Sequence, residues 1–374
     1  LYGDSVFEDC TFNVSGDVYN IWTWGAPTAT FTRCTFNCDG KAMLLYGTAN
    51  TKLTMNDCVF NDKGGLADLK AAIEIGNDYN KSYELIVNNA TVNGFEINDK
   101  GINTGTTLWA NKNSMPADKL KVIIDGYTWV ADGLSKKDGE YYVSNANGLA
   151  TLNVMMSNKT AGKNTVVNLN ADINFEGKTW TPVDSHADTA FSFKELNGNG
   201  HTIYNLTING QAMFKRFAGS GDVTVKNVTF DNASVNSTAI NTSILTVQTY
   251  QNVLLDNVDV RNSSINGGYK VAPLIGTVYN ENSSTITATL KNCDVENVTV
   301  KATSYDFCTT GMVAFVYADD NDTIEFENCT VKDVKLMAPN DSYKAHAAIY
   351  TTGSGSLYNE AEGVTVTNVT FEAL

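Results

Sequence analysis

A six-residue pattern recurs ten times along the chain of 374 residues. Each copy reads apolar, polar, Asn or a substitute for it, small or β-branched, polar, apolar, as in FTRCTF at 31–36 and VKNVTF at 225–230. The other copies begin at residues 7, 55, 87, 124, 255, 290, 326 and 366. Polar and apolar residues alternate, and Val, Thr and Phe dominate, which is typical of β-strands and excludes a helical repeat. The pattern therefore restricts the chain to an array of short, similar strands.

The third residue of each copy marks the expected bend between two strands. Asn suits such a bend because it adopts the left-handed backbone conformation at low cost. Strands in a sheet lie about 4.8 Å apart, so identical amide side chains can hydrogen-bond to one another as a ladder. In the first half of the chain this position holds Asp9, Arg33, Asp57, Asn89 and Gly126. In the second half it is always Asn, and the predicted ladder consists of Asn227, Asn257, Asn292, Asn328 and Asn368.

Another strand-like segment follows most hexamers. Examples are NIWTWG at 20–25, AAIEIG at 71–76, TTLWAN at 106–111 and AAIYTT at 347–352. One hexamer, one such strand and the loops between them would make one coil of a parallel β-solenoid. The inner face of a coil is buried only when coils stack, so the repeat itself predicts an elongated stack. The predicted fold class is therefore all-β, a parallel β-helix.

These coil motifs resemble right-handed parallel β-helix proteins of the pectate-lyase-like class, which implies a right-handed solenoid. A second resemblance is more local. Residues 171–173 (ADI), 198–203 (GNGHTI) and 205–208 (NLTI) resemble the opening of β-helical domains in bacterial cell-surface proteins of gut Bacteroidetes and Firmicutes. This resemblance implies an extracellular or cell-surface location. It also implies that the turn with His201 has a structural role and not a catalytic one.

The chain is predicted to contain two stacked β-helix segments, residues 1–135 and 136–374. A short capping helix is expected at about 145–157, because Asn145 is a good N-cap residue and Leu149, Leu152 and Met156 form an apolar stripe. Such a helix can cover the exposed end of a solenoid. The charged stretch at 132–139 is interpreted as a linker. Because Leu1 opens almost directly into a coil, further coils are expected to precede it.

Five of the seven cysteines occupy the fourth hexamer position, which faces the core: Cys10, Cys34, Cys58, Cys293 and Cys329. We interpret them as a buried stack in which Cys acts as a small apolar residue. Disulfides between Cys10 and Cys34 or between Cys34 and Cys58 stay open, since sequence cannot show them. Cys34 and Cys38 have no second pair at zinc-ligand spacing, so no metal site is predicted.

The charge balance excludes several classes of partner. The formal net charge is −15, with only three arginines, so neither nucleic acid nor an anionic membrane is expected as a partner. No run of about 18 apolar residues exists, which argues against a membrane-spanning segment. The hydrophobic fraction of 43% is nevertheless sufficient for a packed core, so disorder is not expected.

Catalysis is considered because the pectate-lyase-like class contains many enzymes. The best carboxylate group is Asp319 and Asp320, followed by Asn321 and Asp322. Its composition also fits a solvated turn, and no Arg or His lies near it in a matching motif. A loop with His186 between Asp184 and Asp188 is weaker still. The sequence therefore favours a protein without catalytic activity or cofactor, and a calcium ion at such carboxylates is an option without support.

Binding is the preferred functional hypothesis. Parallel solenoids present long flat faces, and aromatic side chains on them can stack against sugar rings or anchor a protein. Trp109 and Tyr350, together with Glu74, are predicted to face outward. The sequence thus predicts a monomeric adhesin that binds a glycan or a host or cell-surface protein. The alternatives are a polysaccharide lyase or glycoside hydrolase of the β-helix class, and a trimeric receptor binder like a phage tail fibre.

Overall fold

A computed structural model shows an all-β protein whose sheets are mostly parallel. The structure describes residues 1–15, 19–38, 41–64, 71–76, 79–95, 107–112, 115–116, 118–158, 160–161, 164–182, 193–217, 221–280, 285–304, 309–317, 321–339, 346–353 and 355–374. The chain divides into two compact units, Leu1–Asp138 and Gly139–Leu374. This division lies three residues after the boundary expected from the sequence.

The first unit repeats the same succession of three strands on each pass of the chain. Its strands are β1 (Ser5–Glu8), β2 (Thr11–Asn13), β3 (Ile21–Trp22), β4 (Thr28–Thr32), β5 (Thr35–Cys38), β6 (Met43–Leu45), β7 (Thr51–Asn56), β8 (Val59–Asp62), β9 (Ala71–Ile75), β10 (Tyr83–Asn88), β11 (Thr91–Asn93), β12 (Thr107–Asn111), β13 (Leu120–Ile124), β14 (Tyr127–Ala131) and β15 (Leu134–Lys137). Parallel pairing places β1, β4, β7, β10 and β13 in sheet A, β2, β5, β8 and β11 in sheet B, and β3, β6, β9 and β12 in sheet C. Each pass therefore adds one strand to each sheet, which fits a parallel β-helix.

The second unit opens with β16 (Glu140–Val143) and the helix α1 (Ala146–Ser157). The strands that follow are β17 (Val166–Leu169), β18 (Ile173–Asn174), β19 (Thr179–Trp180), β20 (Glu195–Asn197), β21 (Thr202–Tyr204), β22 (Thr207–Ile208), β23 (Phe214–Phe217), β24 (Val223–Asp231), β25 (Ser234–Asn236), β26 (Thr246–Thr249), β27 (Val253–Arg261), β28 (Ser264–Gly267), β29 (Ile275–Val278), β30 (Thr287–Lys291), β31 (Asp294–Ala302), β32 (Thr309–Thr310), β33 (Val313–Val316), β34 (Thr323–Glu327), β35 (Cys329–Ala338), β36 (His346–Ala347), β37 (Tyr350–Thr352), β38 (Leu357–Tyr358) and β39 (Val364–Ala373). Strands β23, β26, β29, β33 and β37 form one parallel sheet, and the long strands β24, β27, β31, β35 and β39 belong to another.

Helix α1 covers apolar side chains of the first strands of its unit. Its N-cap is Asn145, whose side chain accepts a hydrogen bond from the Gly148 amide at 2.9 Å. Leu149, Leu152 and Met156 are buried and line the same apolar space as the side chains of β17, β19 and β20. The helix thus lies where the sequence predicted a cap. No helix in the described parts of the chain is long and apolar enough to cross a membrane.

The predicted bends are marked by left-handed backbone. The third hexamer residues have φ between 51° and 57°: Asp9, Arg33, Asp57, Asn89, Asn227, Asn257, Asn292, Asn328 and Asn368. A residue other than glycine rarely adopts this conformation, and Asn and Asp adopt it at the least cost. The strand leaves the bend with its next side chain turned into the core. Cys34 and Cys58 are fully buried for this reason.

Side-chain amides bridge successive bends. Asn257 donates to the side-chain oxygen of Asn227 at 3.2 Å, and Asn328 donates to that of Asn292 at 2.9 Å. Asn292 itself donates to Asp256 at 3.0 Å. A further ladder in sheet B of the first unit runs through Asn13, Asn37, Asn61 and Asn93, with N···O distances of 2.7–2.9 Å.

The placement of Asn368 in the predicted ladder is wrong. The pairing of β39 with β35 aligns Asn368 with Asp333, to which its amide donates, and not with Asn328. Asp333 belongs to a second column of left-handed bends, which also contains Asn205, Asn232, Asn262 and Asn297. The sequences around both columns of bends match the same six-residue pattern. The pattern alone therefore could not show to which column Asn368 belongs.

Two further expectations are corrected at the end of the first unit. Asp125 and Gly126 both have positive φ and connect the antiparallel strands β13 and β14, so residues 124–129 form a hairpin and not a bend between coils. The predicted linker at 132–139 is largely strand, because β15 pairs antiparallel with β14. Charged residues and Asp-Gly turns gave this hairpin the composition of a linker.

The cysteines that the structure describes are all free. Cys34, Cys58, Cys293 and Cys329 are buried, whereas Cys10 is partly exposed. Burial raises the pKa of the Cys58 thiol to about 11, which keeps it protonated at neutral pH. The Cys58 thiol donates to the Phe31 carbonyl, and the Cys293 thiol to that of Leu255, each at 3.5 Å. These thiols therefore fill the core and also satisfy carbonyl groups of the preceding pass.

We expect the Asn292→Ala substitution to lower the free energy of unfolding by about 2–3 kcal/mol, since it removes side-chain hydrogen bonds and places Ala at positive φ. Asn292→Gly should cost less, because glycine tolerates that φ. Chemical denaturation followed by circular dichroism measures both. Asn236, an exposed strand residue, is the control, and Asn236→Ala should change stability by less than about 0.5 kcal/mol. Equal effects of Asn292→Ala and the control would contradict the role of the bends.

Candidate functional site

Sheet C of the first unit has two rows of side chains that face opposite ways. Strand pairing aligns Ile21, Met43, Ile73 and Trp109 in one row, and all four are buried. The neighbouring row contains Trp22, Leu44, Glu74 and Ala110. Because successive side chains of a strand alternate between the two faces, the second row points away from the core.

The prediction that Trp109 faces outward is wrong. Its side chain is fully buried and contacts the Trp129 ring edge-on, with centroids 5.4 Å apart. Glu74 does belong to the outward row, but it is only 4% exposed. The strands of sheet C carry no residue that marks their register, and a shift of one residue exchanges the two faces.

Tyr350 does not present a free ring either. It is half-buried and stacks on Tyr358, with centroids 4.2 Å apart and ring planes 6° apart. Tyr358 lies on β38, which pairs antiparallel with β37 and so covers Tyr350. Burial raises the pKa of Tyr350 to about 12.

Of the predicted carboxylate group, the structure describes only Asn321 and Asp322. Asp319 and Asp320 lie outside the described residues, as does the loop with His186. Asp322 is buried, and its two carboxylate oxygens accept hydrogen bonds from the backbone amides of Ile286 and Asn280 at 3.0 and 3.3 Å. Asp322 thus holds the backbone in place. Within the described part of the chain, no group of three or more His, Cys, Asp or Glu residues could hold a metal ion.

The structure instead brings four aromatic side chains together on the first unit. This aromatic patch consists of Trp22, Trp24, Tyr46 and Tyr79. Trp24 lies 5.2 Å from both Trp22 and Tyr79, and Tyr46 lies 5.2 Å from Tyr79, all as centroid distances. Trp22 is 44% exposed and Tyr79 is 40% exposed, while the other two rings are half-buried. Three successive passes of the chain therefore contribute rings to one partly exposed surface.

Local sequence explains how the aromatic patch forms. Trp22 ends strand β3 and Trp24 lies in the bend that follows, where the two rings pack edge-on. The Trp22 indole N–H donates to the Tyr46 carbonyl at 2.8 Å and fixes the first ring against the next pass. A Cβ atom at Gly76 would lie 2.7 Å from the Tyr46 ring, so only glycine leaves room for it there. The Trp-Thr-Trp triplet was the signal in the sequence that could have identified this surface.

A polar cluster of Tyr19, Glu74 and Lys112 lies in the same unit, around the outward row of sheet C. The Lys112 ammonium is 3.0 Å from the Glu74 carboxylate and 3.1 Å from the Tyr19 hydroxyl, which also hydrogen-bonds to Glu74. The Glu74 side chain is 5% exposed, whereas that of Lys112 is 49% exposed. Glu74 therefore orients the ammonium and phenol groups, and the half-exposed ammonium is accessible to a ligand.

The polar cluster combines a carboxylate, an ammonium and a phenol. It contains one carboxylate, whereas hydrolysis of a glycosidic bond commonly uses a pair separated by about 5–9.5 Å. The Lys112 ammonium has three N–H donors and uses two of them on Glu74 and Tyr19, so the third can donate to a sugar or peptide oxygen. Trp22 lies in the same outward row as Glu74, two strands away. At the spacing of strands in a sheet, the two residues are about 10 Å apart.

Comparison with known proteins adds little to this geometry. No protein-family model matches the chain, and no curated protein matches it. A solved structure from Bacteroides ovatus, provisionally assigned as an immunoglobulin A1 protease, aligns with 62% of this chain and 75% of its own length. The identity is 16% and the TM-score 0.35, so this likeness carries no argument about function.

We expect the Glu74–Lys112 pair to be coupled energetically. In a double-mutant cycle with Glu74→Gln and Lys112→Met, the coupling in the free energy of unfolding should be about 1 kcal/mol, because Glu74 is buried although Lys112 is half exposed. The exposed Lys335–Glu372 pair, with an N···O distance of 2.6 Å, serves as the control. Its cycle should give less than about 0.5 kcal/mol. A coupling no larger than that of the control would show that the polar cluster is not held together as described.

Proposed function

We propose that this protein is a non-catalytic carbohydrate-binding protein of the bacterial cell surface or secreted space, built as a right-handed parallel β-helix. The aromatic patch carries this proposal. Aromatic rings present flat apolar faces that suit the C–H faces of sugar rings, and Trp and Tyr dominate binding surfaces because they also offer polar groups. Trp22 and Tyr79 remain exposed although apolar contact would favour their burial.

The surroundings of the aromatic patch also support a saccharide ligand. Sugars expose both apolar faces and hydroxyl groups, so their sites combine aromatic rings with hydrogen-bonding groups. Here the polar cluster supplies an ammonium beside Glu74, which lies in the same outward row of sheet C as Trp22. The cell-surface location rests on the resemblance of residues 171–208 to β-helical domains of bacterial surface proteins.

The proposal is tested by a glycan array combined with degradation assays on the glycans that bind. Retention of one or more glycans without turnover is the expected result. Turnover would show instead a polysaccharide lyase or glycoside hydrolase, and failure to bind any glycan would leave a protein receptor as the partner. Light scattering separates the remaining alternative, since a receptor binder like a phage tail fibre would be a trimer.

Removal of one ring from the aromatic patch should weaken binding. We expect Trp22→Ala to raise the dissociation constant for the best glycan at least about tenfold, as is common for an aromatic anchor at a binding surface. Trp22→Phe keeps a ring but loses the hydrogen bond to Tyr46, so its effect should be smaller. Isothermal titration calorimetry measures both.

The matched control is Ile240→Ala, because Ile240 is an exposed apolar residue of the second unit with 40% exposure. It should leave the affinity unchanged. Circular dichroism of all variants checks that the fold is retained. If Trp22→Ala and Ile240→Ala bind the glycan with the same affinity, the aromatic patch is not the binding surface.

A further inference from the structure

An open groove of about 580 Å³ lies on the first unit, where the chain enters the strands of sheet A. Pro27, Leu120 and Trp129 contribute apolar lining, and Asn50 and Lys52 are among its polar residues. Its volume falls in the range of small-ligand sites, and its mixture of apolar and polar groups suits a saccharide.

The groove adjoins the aromatic patch along the chain. Trp24 is followed by Pro27, Tyr46 by Asn50, and Tyr79 by Ser82, so three or four residues lead from each ring to a residue that lines the groove. Such a segment spans at most about 15 Å. The same three passes therefore supply rings to the patch and lining to the groove, and one oligosaccharide can reach both.

The groove is positively charged in a chain of net charge −15. Strand pairing places Glu84 between Lys52 on one side and Lys121 on the other. The Lys121 ammonium donates a hydrogen bond to the Glu84 carboxylate at 2.9 Å. Lys52 is exposed, and its ammonium has no partner among the described residues. Three lysines line the groove against two carboxylates, and the third, Lys119, is hydrogen-bonded to the neutral side chain of Asn80.

We propose that this groove binds an acidic group of a saccharide, a carboxylate or a sulfate ester, with Lys52 as its main contact. The inference rests on the proposed function, since the aromatic patch holds the sugar rings of the same ligand. Lys52, which has no partner in the part of the chain that the structure describes, offers a free positive charge, whereas Lys121 is already neutralised by Glu84. The Trp129 ring and Pro27 provide the apolar lining that a pyranose ring requires.

The test compares matched probes. Each neutral hexasaccharide of an array is presented beside its sulfated form and its uronic-acid form, and affinities are measured for the wild-type protein, Lys52→Gln and Lys63→Gln. Lys63 is the control, because it is an exposed lysine of the same unit that does not line the groove and whose side chain has no partner among the residues that the structure describes. Both variants lose one charge, so any difference between them reflects position.

We expect at least one acidic form to bind more tightly than its neutral counterpart. Lys52→Gln should weaken acidic binding about fivefold, as expected for one exposed ion pair, and leave neutral binding unchanged. The preference should also decline as salt is raised from 50 to about 300 mM. Lys63→Gln should behave like the wild type. The sulfated and uronic-acid probes show which acidic group the groove prefers.

The failure of this inference is distinguishable from the failure of the proposed function. Equal affinity for neutral and acidic forms, or equal effects of Lys52→Gln and Lys63→Gln, would overturn the groove as an acidic subsite while the aromatic patch remained the sugar-binding surface. Loss of all saccharide binding in the wild type would overturn both. Sensitivity to Lys52→Gln without sensitivity to Trp22→Ala would support the groove and overturn the patch.

Discussion

The structure depends on bends at which the backbone turns left-handed. Each pass must return to the same corner for its strands to pair in register with those of the previous pass. At the bends of the hexamers, a residue with φ near 50° fixes where the strand ends, and Asn and Asp reach that conformation most cheaply. Their side chains then add hydrogen bonds between successive passes, as from Asn328 to Asn292. Register, and with it the choice of which side chains face the core, therefore follows from the corners.

This dependence explains which parts of the fold the sequence could predict. The hexamer carries its own register mark, so the inward direction of Cys34 and Cys58 could be read from the pattern. The mark is ambiguous where two columns of bends share one motif, and Asn368 was therefore assigned to the wrong column. The strands of sheet C contain no residue that marks their register in this way. Trp109 was placed on the outer face because an apolar strand has no internal sign of its register.

The candidate site depends on contacts between passes, which no local pattern reveals. Trp24, Tyr46 and Tyr79 meet only because three corners stack, and their separations in sequence differ. The burial of Glu74 has a similar origin, since Tyr19 and Lys112 come from other passes of the chain. Outward orientation and exposure are thus separate properties. Strand register decides orientation, but neighbouring passes decide exposure.

On the outer surface, charged side chains of neighbouring passes pair with one another. Along the outer rows, charges of one pass are commonly neutralised by the next, as in Lys226 with Glu195, Lys291 with Glu327 and Lys332 with Glu296. Such pairing between passes satisfies surface charges within the protein itself. In the first unit, Lys52 has no partner among the described residues, and Trp22 and Tyr79 keep exposed apolar surface. Lys63 is also exposed and unpaired among the described residues, so a missing partner alone does not distinguish Lys52. Its position does, because Lys52 lines a groove that adjoins the exposed rings along the chain, and the proposed saccharide site combines the two.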